Sequence, residues 1–314
     1  MNLDLKVTLG TRGSKLALVQ ARHVAEKLRS AGLEVEIRII KTTSEHHPEM
    51  SLAVLDRRDV FTRQLDDALL AGEIDLAVHS AKDVPTEIPE GIALAAITDR
   101  RHVEDALVSD EGFHLLEGYG TPLLPEGAIV ATSSVRRRAL LLHLRPDLEV
   151  VEIRGNVDTR VRKMREGAAD ALLLAYAGLE RMGLDIPYTL VTHGLFLPAV
   201  GQGALAVAAA GDHHLLRRMR DTLNDEADER VVLAERAMLA TLEGGCRMPV
   251  GAHGSIIDDG GIRLRGVVVS PDGALVYEAE AVGMEPEEVG EQVARGLLEK
   301  GAAIILNEVR EVRS

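Results

Sequence analysis

A single cysteine stands in the run LEGGCRMPVG, residues 242–251. Free cysteines are usually small core residues. Here Gly244 and Gly245 before Cys246, and Pro249 after it, argue against a buried helix or strand, so the spacing predicts a protruding thiol. Arg247 beside it favours the thiolate, the reactive form of the group. A second candidate is HSAKDVP, residues 79–85, which follows an apolar run. Lys82 and Asp83 are adjacent and point opposite ways on an extended segment, while Pro85 keeps Val84 extended. An acid at the carboxyl end of a central strand sits where α/β enzymes place catalytic groups, although a loop salt bridge or helix cap uses the same residues. His79 reads as a packed or hydrogen-bonded histidine.

Charge supplies the third signal. The chain carries 36 Lys or Arg against 50 Asp or Glu, a formal net charge of -14. Yet residues 131–165 hold nine Arg or Lys and only four Asp or Glu. A basic island in an acidic chain points to a small anionic ligand rather than a nucleic acid, whose phosphates the whole molecule repels. Arg136, Arg137 and Arg138 follow TSS at a helix start, and Arg154 and Arg160 flank RGNVDTR. Helix N-termini present free N–H groups, and guanidinium adds a fork that matches carboxylates. GTRGSKLAL repeats the device with Arg12 and Ser14. Solvated basic faces with ordinary serine caps explain either segment alone. AVGQGA, residues 199–204, lacks the spacing of a dinucleotide or phosphate loop and reads as a hinge or a close backbone approach. No His, Cys, Asp and Glu set has metal-ligand spacing; EHHPE at 45–49 is a weak lead.

The elements that must position these groups follow from periodicity. The 314 residues predict two to three domains. With no Trp, three Phe and four Tyr, the cores must be aliphatic. KVTL, EVEIRII, IDLAVHS and IALAAI read as strands; Ala17, Ala21, Val24, Ala25 and Leu28 form a helical stripe, and Phe61, Leu65, Ala68 and Leu69 a second. The pattern restarts after TDRRHVED with strands at AIVATSS, LEVVEIRG and DALLLAY. This rhythm predicts two α/β units, each with a parallel sheet, crossed at TDRRHVED and THGLFLPAV and hinged around a cleft. From about residue 226 the pattern becomes a helix, antiparallel strands joined by DDGG and SPDG, and a last helix over EEVGEQVARGLLEK. The expected fold class is therefore α/β, two lobes plus a small α+β C-terminal domain. Its boundaries are 1–99 with 200–222, 100–199, and 223–314. No apolar run reaches the ~18 residues of a membrane span. The N-terminal residues lack a secretion signal, and one cysteine cannot form an internal disulfide, so a cytoplasmic protein is expected.

TRGSKLAL, DLAVHSAKDVP, ATSSVRRR, LRPDLEVVEIRGNVDTR, AGLERMGL, LPAVGQGA, ERAMLATLEGGCRMPVG and the SPDG strands occur in order across nearly the whole chain. Taken together they resemble the porphobilinogen deaminase (hydroxymethylbilane synthase) family of tetrapyrrole synthesis. The resemblance implies two periplasmic-binding-protein-like lobes around a cleft, and a smaller domain whose cysteine, Cys246 here, holds a dipyrromethane cofactor by a thioether. It implies a transferase that expels ammonia from porphobilinogen, joins four units head to tail, and hydrolyses off hydroxymethylbilane. By the same resemblance Asp83 is catalytic, steadying positive charge on pyrrole nitrogens. Lys82, Asp83, Thr132, Ser134, Arg136 and Arg137 bind the cofactor; Arg12, Ser14, Arg154, Arg160, Arg181, Gln202 and Phe61 serve the substrate. It further implies a monomer in the haem pathway, with uroporphyrinogen-III synthase taking the product, and no metal, membrane or nucleic acid. The family's Gly- and Lys-rich mobile loop is replaced by MSLAVLDRRDVFTRQL, without glycine, where Arg57 or Arg58 substitutes for the lysine charge. The rival readings are a non-enzymatic two-lobed protein that binds or senses small anions, which would not require Cys246, and a nucleic-acid binder, which the acidic charge and missing aromatics oppose.

Overall fold

A computed structural model describes residues 6–41, 62–110, 124–191, 194, 196–242 and 248–311. The chain divides into two compact units, residues 1–100 with 204–229 and residues 101–203 with 230–314.

In unit 1 the strands are β1 (Lys6–Thr11), β2 (Glu34–Ile39), β3 (Leu76–Ser80), β4 (Ile92–Thr98) and β10 (Leu205–Ala210). They form one sheet in the order β2-β1-β3-β10-β4. Helix α1 (Lys15–Ser30) buries Ala21, Val24, Ala25 and Leu28 against one face, as the stripe predicts, and Ala17 is half-buried. Each fully buried Val or Leu of that stripe contributes about 1.5–3 kcal/mol. Helix α2 (Arg63–Leu70) covers the other face with Leu65, Ala68 and Leu69, which cluster with Ile74, Ala77 and Ala208. Helix α6 (Leu216–Leu223) completes the α1 side through Met219 and Leu223.

Unit 2 repeats the arrangement. Its strands are β5 (Asp105–Val108), β6 (Ile129–Ala131), β7 (Glu149–Val151), β8 (Ala171–Ala175) and β9 (Tyr188–Val191), ordered β7-β6-β8-β5-β9. Helices α3 (Val135–Leu144), α4 (Val157–Lys163) and α5 (Tyr176–Met182) connect them. The C-terminal part belongs to the same unit: α7 (Glu226–Thr241), which begins in unit 1's last residues, then β11 (Val250–Ile256), β12 (Ile262–Val269) and β13 (Val276–Gly283), an antiparallel sheet, followed by α8 (Pro286–Glu299) and α9 (Ala302–Glu311). Val267 and Val269 of β12 share a core with Leu107, Val130, Leu140 and Leu173.

One expectation changes. Neither five-stranded sheet is purely parallel: β10 runs antiparallel to β3 and β4, and β5 antiparallel to β8 and β9. Both reversed strands are the first after the chain passes from one unit to the other. A strand that arrives by such a crossing, rather than through a helical βαβ return, is not held to the parallel direction.

Candidate functional site

In unit 1 the sheet's parallel strands deliver two loops. After β1 come Arg12, half-buried, and Ser14, whose Oγ accepts from Ala17 N at 3.3 Å and caps α1. After β3 the chain tightens into a 3₁₀ turn, Ala81–Asp83, anchored by Ala81 N donating to Ala204 O at 3.0 Å. Lys82 and Asp83 lie half-buried on that turn, so they leave a helical turn rather than an extended segment. His79 of β3 is buried, and its Nε2 has no hydrogen-bond partner among the described residues. Burial pushes its imidazole down to about 4, with the Asp83 carboxylate pulling up and the Arg12 guanidinium pushing further down. His79 is therefore neutral at pH 7.

In unit 2 the helix after β6 starts at Ser134, whose Oγ accepts from Arg137 N at 3.4 Å, while Ser134 N donates to the buried Thr132 Oγ1 at 3.2 Å. The first turn of α3 sends two guanidiniums inward, and Arg136 is 3% and Arg137 7% exposed. Both reach the fully buried Asp105: Arg136 Nη2 donates to Oδ2 at 2.6 Å, and Arg137 Nε and Nη2 to Oδ1 at 3.0 and 2.8 Å. Arg137 Nη1 adds the Leu173 carbonyl at 3.2 Å, and Arg136 Nη1 the Leu197 carbonyl at 2.7 Å. Arg136 also lies 5.8 Å from the centroid of the Phe196 ring. Burial alone would push the Asp105 carboxyl up; the two guanidiniums outweigh it and hold the group well below the ordinary carboxylate range. Gln202, fully buried, donates to Asp105 Oδ1 at 2.9 Å and to the Val103 carbonyl at 2.7 Å. Two buried cations on one buried anion leave one positive charge in excess. Arg136 Nε is buried without a partner among the described residues, so the donor set fits a further anion.

The other expected cations are more open. Arg154 pairs with Glu152 at 2.9 Å, Arg160 Nε donates to the Gly155 carbonyl at 2.7 Å, and Arg181 Nη2 to the Gly203 carbonyl at 2.7 Å. Gly203 has φ +91°, and a Cβ there would stand 2.6 Å from the Arg101 carbonyl oxygen, which is the close approach expected of AVGQGA. Cys246, Arg247, Phe61, Arg57 and Arg58 lie outside the described residues. Among the described residues no group of His, Cys, Asp and Glu could hold a metal ion, and no helix is long and apolar enough to cross a membrane.

Two buried acids enter the site unannounced. Asp105 had one signal, an acid inside the apolar strand DALV. Glu235 of α7 had none: fully buried, it accepts from Gly201 N at 2.8 Å and Gly254 N at 2.9 Å, fastening the glycine loop to β11.

Residues 7–218 match the family described as porphobilinogen deaminase, dipyromethane cofactor binding domain, and residues 230–299 the porphobilinogen deaminase C-terminal domain. A porphobilinogen deaminase of Rubrobacter xylanophilus is 61% identical over 308 residues, 98% of this chain and 99% of that protein. One of Desulforudis audaxviator is 45% identical over 313 residues, 97% of this chain and 98% of that protein. Among solved structures, the methionine binding protein MetQ aligns at TM-score 0.43 and 13% identity, over 69% of this chain and 89% of that one. The chain belongs to the porphobilinogen deaminase family.

Proposed function

We propose that this chain is a transferase that condenses four porphobilinogen molecules head to tail, with loss of one ammonia per addition, and hydrolyses off hydroxymethylbilane. The family match over both domains, residues 7–218 and 230–299, carries this reading. The buried guanidinium pair on Asp105, with its excess positive charge, agrees with a ligand that brings carboxylates. Each porphobilinogen ring has an acetate and a propionate, so a site for several rings needs many cationic donors.

The cofactor-holding set is Cys246, which tethers the group by a thioether, together with Lys82, Asp83, Thr132, Ser134, Arg136 and Arg137. When bound, dipyrromethane supplies the free pyrrole carbon to which new units are joined. Arg12, Ser14, Arg154, Arg160 and Arg181 take substrate carboxylates, and Phe61 offers an apolar surface. Gln202 acts through Asp105 and Arg137, since its amide is spent on them and on Val103. Asp83 is the catalytic group. As the substrate loses ammonia, positive charge spreads onto its pyrrole nitrogen, and a carboxylate within hydrogen-bond reach of that N–H stabilises it most where charge is greatest. The protein works in the cytoplasm as a monomer and passes its product to uroporphyrinogen-III synthase.

Intact mass spectrometry tests the reading. Purified protein should exceed its sequence mass by one dipyrromethane, lose the adduct in Cys246→Ser, and release ammonia from porphobilinogen. Protein that turns over without an adduct rules out the tether, and protein that binds porphobilinogen without consuming it is an anion-binding protein instead.

A further inference from the structure

Besides Asp105, Arg136 and Arg137 share a second support, and it lies wholly in unit 2. The Leu197 carbonyl accepts from Arg136 Nη1 at 2.7 Å, and Gln202 Oε1 from Arg137 Nη2 at 3.4 Å. One short segment, residues 197–202, therefore touches both guanidiniums. That segment leans on the C-terminal sheet. β11 is an edge strand, so alternate N–H groups need partners outside the ladder. Ala252 N donates to the Pro198 carbonyl at 2.9 Å, and Gly254 N to Glu235 Oε1 at 2.9 Å. The other carboxylate oxygen, Oε2, accepts from Gly201 N at 2.8 Å. A Cβ at Gly251 would stand 2.8 Å from the Leu197 carbonyl oxygen, so β11 and the segment meet backbone to backbone. Val200 packs against the C-terminal core. Gln202 itself stands between Gly201 and Gly203, whose φ values are +71° and +91°. Two flanking glycines give the backbone other conformations to adopt, and a pin on Gly201 is what holds Gln202 in place.

We propose that Glu235 is a positioning residue for the Arg136–Arg137 pair, acting through the glycine loop and Gln202. The inference rests on the assignment of both arginines to the cofactor-holding set above. The two oxygens of one side chain serve two buried N–H groups, one on the loop and one on β11, and so tie the two together. A glutamine in its place offers one accepting oxygen and turns its NH2 group toward the other donor. That leaves a buried N–H unpaired and sets two donors against each other, so the loop moves off. Gln202 moves with it, and its hydrogen bonds to Asp105 Oδ1 at 2.9 Å and to Arg137 are loosened. Residues 230–314, which include Cys246, thereby also set where the guanidiniums stand.

The test uses the adduct-bearing protein, with kcat counted per mole of adduct by intact mass. Glu235→Gln should lose about tenfold in kcat with KM for porphobilinogen within about twofold. Gln202→Ala should do the same, and the double variant should fall no further than the worse single one, since both act along one path. Ile305→Ala, on α9, truncates the same C-terminal core and should keep kcat within about twofold. Hydrogen exchange reads the effect without turnover: it should quicken in residues 197–203 and 135–139 of Glu235→Gln, and in neither segment of Ile305→Ala. In the wild-type protein the Gly201 amide should exchange as slowly as the paired amides of β11, and this arm needs no variant to fold. A Gly201 amide that exchanges at the rate of open chain overturns the proposal. So does an unchanged kcat in Glu235→Gln, a double variant whose losses multiply, or an Ile305→Ala variant that matches the Glu235→Gln loss. Wild-type protein that carries no adduct and consumes no porphobilinogen overturns the functional reading itself, and this inference with it.

Discussion

His79 is buried without a charge, and Asp105 is buried with one, so the two respond to acid differently. The unfolded imidazole binds a proton below its ordinary 6.5, the folded one only below about 4. Stability therefore falls as the pH drops through that window, by up to about 3 kcal/mol in all. Urea unfolding of unit 1 should lose about 2 kcal/mol less between pH 7 and pH 5 in His79→Gln than in the wild type. Asp105 has the same sign in a more acid window, since its folded value also lies below the unfolded one. Its contribution is complete above the ordinary carboxylate range and is lost only as the pH falls toward the depressed value, so it adds no acid sensitivity at pH 5 to 7. Asp83→Asn keeps the shape of the side chain and removes the charge that steadies a pyrrole cation. Turnover should fall about 10²- to 10³-fold while intact mass still shows the dipyrromethane adduct. Arg136 and Arg137 were legible as cations at a helix start. That they are buried on a shared carboxylate was not, because Asp105 is supplied from 31 and 32 residues upstream.

At the scale of elements, caps and close approaches position the site. Ser134 satisfies an N–H of the first turn of α3, which carries both buried arginines. Ser134→Ala should cost about 1 kcal/mol and slow adduct formation in a time course of intact mass. Gly203 occupies a left-handed conformation against backbone rather than a yielding side chain. Gly203→Ala should therefore cost about 1–3 kcal/mol in chemical denaturation. Helix stripes were legible because a run as long as α1 repeats its period four times over. The strands β5 and β9 were not: four residues each give alternation too little length, and β5 carries an acid where core is expected. The last apolar run, AAIIL, carried no assignment and is helical, the first half of α9.

At the scale of the molecule, each unit has its own aliphatic core. Leu76 is fully buried in unit 1 and Leu172 in unit 2. Leu76→Ala and Leu172→Ala should each cost about 2–5 kcal/mol, and hydrogen exchange should quicken first in the sheet that holds the truncated residue. Exchange that quickens equally in both sheets would show that the units do not hold separate cores. Local order determined much of this protein from its sequence alone: which of the longer stretches are helix or strand, and the ordered motifs that mark its family. Those properties depend on neighbours a few residues apart, and a linear pattern records them. The direction of β5 and β10, the joining of residues 230–314 to residues 101–203, and the conversion of two apparently free arginines into a buried cluster were decided only in three dimensions. Each depends on groups far apart in sequence meeting in a water-poor interior, where the energy of a charge is set by what lies next to it in space.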